Sequence, residues 1–281
     1  MSTVSLPAPT RNTRRRTLGV TLVALAIVAA VVVAAFALES RAAATDLTDK
    51  LLGPALAHPF GTDWLGRDLL SRVLVGLRLS LVVGLVAAAG SALIALLLAA
   101  LATTAGRRAE AAVTWLVNLF LAVPHLVLLI LVTFALGGGT QAVVIAVAVT
   151  HWPSLTRVLI AQGRVVARSD YAALARSFGH GRWHVARRHV MPHLVPHALV
   201  GGVLLFPHAI MHEAALSFLG LGVDASQPAV GVLLRDSMRF LSTGQWWLAV
   251  LPGLCLLVLV LLIDTIGDNL RALTDPRSHH R

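Results

Sequence analysis

Apolar runs long enough to cross a bilayer recur along this chain, and no other feature constrains its fold so tightly. A spanning helix needs about 20 mainly apolar residues. Six such spans are expected, near residues 18–38, 79–103, 112–136, 142–159, 199–219 and 247–266. The third carries Pro124, and Pro153 is expected to interrupt the fourth. Prolines inside spans are tolerated where neighbouring groups satisfy the freed backbone. The repeated Gly and Ala permit close helix contact. The fold class is therefore all-α and polytopic.

Composition agrees. Only 13% of the 281 residues are charged and 57% are hydrophobic, whereas a soluble domain carries about 25% charged residues. The formal net charge of +10 would point to nucleic acid in a soluble protein. Here it is read as basic loops beside a lipid bilayer, with no nucleic-acid partner expected. The single cysteine, Cys255, excludes an intramolecular disulfide and a Cys-cluster zinc site. Arg14, Arg15 and Arg16 precede the first run, and Ala42-Ala43-Ala44 follows it, as in a cleaved signal peptide. The run is longer than the usual signal core, so it is read as a span.

Loop charge sets the orientation. Arg11, Arg14, Arg15 and Arg16 lie in the first tail with no acid, and Arg107 and Arg108 stand against Glu110 after the second span. Arg164, Arg168, Arg176, Arg182, Arg187 and Arg188 stand against Asp170 after the fourth, and Arg271, Arg277 and Arg281 lie in the last tail. Residues 39–78 are balanced, with five basic and five acidic side chains, and Gly137-Gly138-Gly139-Thr140 carries no charge. The basic excess marks the cytoplasmic side. The expected division is a cytoplasmic tail over 1–17, a first span over 18–38 and an extracytoplasmic segment over 39–78. A transmembrane core over 79–266 contains a cytoplasmic loop over 164–197, and 267–281 form a second cytoplasmic tail.

Two segments outside the spans carry helical patterning. Leu65, Leu69, Val73 and Leu77 share a face, with Asp68 and Arg72 as an i,i+4 pair on the other, so a short amphipathic helix is expected near 64–77. In the basic loop, Tyr171, Leu174, Ala175 and Phe178 repeat at helical spacing. Gly179 and Gly181 are expected to break that helix, and a second helix over 183–190 is expected to stop at Pro192. An apolar face with an aromatic, ringed by arginines, fits the groove of a soluble partner. Lying on anionic lipid or packing on its own bundle are the alternatives.

The stretch Asp170-Tyr171-Ala172-Ala173-Leu174-Ala175-Arg176-Ser177-Phe178-Gly179, closed by Val190-Met191-Pro192, resembles the coupling loop of binding-protein-dependent ABC importer permeases. Ala173 stands where that loop carries glutamate. Gly61-Thr62-Asp63-Trp64-Leu65-Gly66-Arg67-Asp68-Leu69-Leu70-Ser71-Arg72 resembles the segment before the second span in the dipeptide, oligopeptide and nickel permease family. Leu216-Ser217-Phe218-Leu219-Gly220-Leu221-Gly222, Ile266-Gly267-Asp268-Asn269-Leu270-Arg271 and Asp275-Pro276 resemble later motifs of the same family, in its order. Asp264 and Val230 depart from residues common there, Asn and Trp.

The resemblance implies a type I ABC importer permease fold in the bacterial cytoplasmic (inner) membrane, with both termini cytoplasmic. It implies cytoplasmic ATPase subunits, a second permease subunit and an extracytoplasmic solute-binding protein as partners. Tyr171, Leu174, Ala175, Arg176, Phe178 and Gly179 would couple to the ATPase. A P-loop needs a Gly-rich turn and a lysine, yet the one lysine, Lys50, sits in Thr48-Asp49-Lys50-Leu51. The chain is thus expected to be non-catalytic, to bind no cofactor, and to leave ATP to a partner subunit.

Cargo is read from the twelve histidines. His208 and His212 lie at i,i+4 in the fifth span, with Met211 and Glu213 adjacent, and His151-Trp152 lies in the fourth. Ionisable groups within spans face the bundle interior or a water-filled path, and imidazole suits nickel, zinc or copper. Hydrogen bonding between helices explains such a pair equally. The Thr150-His151-Trp152 and His208/His212-Glu213 stretches resemble the nickel branch of the family. Nickel or a metal chelate is therefore the first expectation for cargo, with dipeptide or oligopeptide import as the alternative. A metalloprotease would need a second histidine at 216, where Leu stands. A proton-coupled carrier, suggested by Asp264 and Asp268, is the remaining class.

Overall fold

The computed structural model describes residues 11–274. Its first helix, α1 (Arg11–Ala37), leads through the short α2 (Glu39–Ala43) to an irregular segment that ends at α3. Then come α3 (Leu69–Thr104), α4 (Arg107–Ala122), α5 (His125–Ala135) and α6 (Gly139–Ala167). The basic loop forms α7 (Asp170–Ser177) and α8 (Arg182–Val185), followed by one π-helical turn over Ala186–Val190. The chain closes with α9 (Met191–Phe218), α10 (Val230–Ser237) and α11 (Trp247–Thr274). Among the described residues the only β pairing is an isolated bridge between Thr62 and Asp68.

Five helices are long and apolar enough to cross a membrane, and the α4–α5 pair makes a sixth crossing if the bent pair is one span. Burial sorts them. The apolar window of α6 is 61% buried and that of α1 only 11%, so α6 is central and α1 peripheral. The core is α3 packed on α6 and α9, with α11 and α1 flanking. Small residues let the backbones approach: Ala87, Ala88, Ser91, Ala95 and Ala99 of α3 are buried. A Cβ on Gly84 would stand 2.7 Å from Ile210 Cγ1 of α9, so this crossing needs glycine.

Prolines act in opposite ways at two places. Pro153 leaves α6 continuous, against expectation. Its missing N–H frees the Val149 carbonyl, which accepts instead from the Trp152 indole Nε1 at 2.8 Å. Pro124 does break its span. Val123 is extended, as the residue before proline prefers, and α4 and α5 meet at a 96° bend. The third span is therefore two helices rather than one.

Two further expectations are corrected. Residues 64–77 do not form a separate surface helix. Helix starts at Leu69 and runs into the membrane as α3, so the apolar spacing belongs to the mouth of that span. Nor do Asp68 and Arg72 pair. Asp68 caps α3, accepting from Ser71 N at 2.9 Å and Ser71 Oγ at 2.6 Å. Arg72, 2% exposed, pairs with Asp63, which also accepts from Arg67 Nε at 2.7 Å. The other Asp68 oxygen faces His58 Nδ1 at 2.9 Å and Arg41 at 3.4 Å. Burial pushes the Asp68 carboxyl up, but hydrogen bonds from Ser71 and His58, with Arg41 nearby, outweigh it and hold the group below its ordinary range.

Candidate functional site: the histidine-lined cavity and the arginine-rich knob

A cavity of about 1030 Å³ opens beside α6 and α9. Leu121 of α4 and His125 of α5, on either side of the bend, line it, and Arg271 of α11 lies on its wall. Thr150, Ser154 and Gln162 place polar groups among Leu121, Leu155 and Leu204. His208 and His212 both line it, as one face of α9, and so do His151 and His197.

Sequence reading missed His125. It is the first residue of α5, directly after Pro124, and the bend turns it onto α6. Its Nε2 lies 3.3 Å from His151 Nε2. Its ring lies 4.4 Å from that of His151 and 5.0 Å from that of His212, and the His151 and His212 rings are 4.9 Å apart. One ring nitrogen from each of the three falls within 4.8 Å of the others. His208 lines the cavity without joining this trio. A Pro-His step inside an apolar run was the available signal; the fold that pairs it with His151 was not readable locally.

Glu213, next to His212, is fully buried and accepts from Ser80 Oγ at 2.5 Å and Ser217 Oγ at 2.9 Å. It ties α9 to α3, which leaves no role for it as a metalloprotease base. Asp264 and Asp268 are exposed and lie outside the cavity lining.

On the basic side, Ala172 and Ala175 of α7 are buried in a cluster with Val113, Leu159, Val185 and Val190. Tyr171, Leu174 and Phe178 are exposed, as is Trp183 of α8. Small residues thus dock the helix and large ones face out. The Arg176 side chain lies outside the described residues, as do His279, His280, Asp275 and Pro276. Gly179 turns the chain at φ +80°, a conformation that a side chain disfavours. Arg182 donates to the Ala105 carbonyl at 2.7 Å, strapping α8 to the α3–α4 turn. The second loop helix does not stop at Pro192. A proline in the first turn of a helix gives up no hydrogen bond, and Pro192 occupies such a position in α9.

Residues 91–279 match the family of binding-protein-dependent transport system inner membrane components. Among curated proteins, the chain is 35% identical over 235 residues to the probable D,D-dipeptide transport system permease protein DdpC of Escherichia coli K12, covering 84% of this chain and 78% of that one. It is 37% identical to the di/tripeptide transport system permease protein DppC of Pseudomonas aeruginosa, covering 77% and 71%. Against the dipeptide permease DppC of Bacillus subtilis the identity is 30%, covering 82% and 72%. Among solved structures, a chain of the MetNI methionine ABC transporter in an inward-facing conformation superposes with a TM-score of 0.57 at 19% identity. That match covers 72% of this chain and 97% of the other, and it shows a shared fold.

Proposed function

The chain belongs to the family of binding-protein-dependent transport system inner membrane components, and from that premise we propose that it carries short peptides across the bacterial inner membrane. It is the permease subunit of an ABC importer. It does not hydrolyse ATP; a separate ATPase subunit does, and an extracytoplasmic binding protein delivers cargo.

The cavity carries the peptide reading. At about 1030 Å³ it is far larger than a bare ion requires and sits at the upper end of small-solute sites. Thr150, Ser154 and Gln162 offer donors and acceptors for amide groups. The names of the relatives above favour peptide over nickel as well, so the first expectation from the histidines gives way to the alternative. The cavity is open on one side, and a second permease chain closes it.

The exposed Tyr171, Leu174 and Phe178, with Gly179 and Arg176 beside them, seat in the ATPase. Ala175 fastens the same helix to the bundle. ATP-driven closure of the ATPase pair moves this knob and switches the access of the cavity. Both termini lie on the knob's side, where the arginine excess is.

The test reconstitutes the complex in vesicles and measures ATPase activity with its binding protein loaded either with dipeptide or with nickel. Stimulation by the dipeptide-loaded form is expected. Stimulation by the nickel-loaded form alone would overturn the peptide reading.

A further inference from the structure

We infer that His125, His151 and His212 form a binding site for one divalent late transition-metal ion at the wall of the cavity. The site goes beyond the peptide reading and does not depend on it. Three chain segments far apart in sequence deliver one imidazole each, and one ring nitrogen from each falls within 4.8 Å of the others. Two nitrogens bound tetrahedrally at about 2.0–2.1 Å from zinc stand about 3.3–3.4 Å apart. His125 Nε2 and His151 Nε2 are 3.3 Å apart.

The surroundings of His151 supply an independent mark. Its Nδ1 lies 3.0 Å from the Val147 carbonyl oxygen. A carbonyl only accepts, so Nδ1 carries the proton and the Nε2 lone pair points at His125. Ligating histidines are oriented in this way, with the second ring nitrogen donating to a carbonyl or carboxylate. His151 is only 7% exposed, so its ring is held by packing. A hydrogen bond between the two Nε2 atoms would engage two rings, whereas a shared cation engages all three.

The donor set selects the ion. Three neutral nitrogens without a carboxylate suit zinc, copper, nickel or cobalt and not magnesium or calcium. Three protein ligands leave a fourth position open. All three histidines line the cavity, so that position faces it and takes an oxygen donor from water or from a passing solute.

Cobalt(II) is the probe, because its visible bands are intense in a tetrahedral site and weak in an octahedral one. The assembled complex, carrying no polyhistidine tag, is titrated with cobalt(II) and its spectrum compared with those of variants. Intense bands saturating at one ion per chain are expected for the natural protein. His151→Ala should remove them, with a loss of at least about a hundredfold in affinity, the upper range seen when even supporting groups are lost. His212→Cys should keep the ion and add a sulfur-to-cobalt charge-transfer band, which a misfolded chain would not give. His184→Ala controls for the exposed His180–His184 stack, whose rings are 4.0 Å apart, and should leave the bands unchanged. Bands that persist in His151→Ala, bands that vanish in His184→Ala, or a weak octahedral spectrum throughout would overturn the site.

Discussion

The two ends of the bundle are held by different physics. At the end away from the basic loop, Asp63 joins Arg67 and Arg72, while Asp68 caps α3 and meets His58 and Arg41. Both carboxylates are buried, and the contacts that Arg72, His58 and Arg41 make with them are charge-assisted and reach beyond one helical turn. At the other end, α7 is fixed by two small alanines and α8 by the Arg182 strap, with Val185 of α8 buried beside them and Leu174, Phe178 and Trp183 left bare. One end is a lock that keeps its shape. The other is a lightly tethered handle whose large apolar groups face outward.

The largest effect is expected at the lock. Asp63→Ala leaves the Arg72 guanidinium buried without its carboxylate, a loss of about 3–5 kcal/mol for a buried pair. Thermal unfolding of the purified complex should show it as a clear fall in Tm. Phe178→Ala should cost about 2 kcal/mol or more of ATPase docking, the range for an aromatic anchor. Copurification of the ATPase should fall while the Tm of the isolated chain is kept. That split between docking and folding is what separates handle from lock.

Smaller effects sharpen the contrast. Gly179→Val forces a β-branched side chain into a φ of +80°, at about 1–2 kcal/mol. ATP hydrolysis should continue while peptide uptake falls, read as a lower transport-to-ATP ratio in vesicles. Asp68→Ala removes a helix cap worth about 1 kcal/mol. Because the Asp68 carboxyl is held below its ordinary range, its contribution is present above that range and is lost as pH falls through it. The Tm difference between the natural protein and Asp68→Ala should therefore shrink on acidification below the ordinary carboxylate range.

The crossings were legible because apolar length is a local property. Bends were not, because the effect of a proline depends on what its freed carbonyl finds. Trp152 supplies a donor beside Pro153, so α6 runs on, while Val123–Pro124 turns the chain through 96°. Of the repeat Leu65, Leu69, Val73 and Leu77, the last three are helical but belong to α3, while Leu65 lies in the turn before it, since periodicity does not mark where a span begins. His151, His208 and His212 were identifiable as intramembrane ionisable groups. His125 joined them only through the bend that was missed.

The most direct measurement places a photoreactive amino acid in turn at Phe178 on the handle and at Trp64 beside the lock, then irradiates membranes containing the complex. Adducts with the ATPase from position 178 and none from position 64 are the expected result. ATPase adducts from position 64, or none from position 178 in complexes that hydrolyse ATP, would contradict the assignment of the two ends.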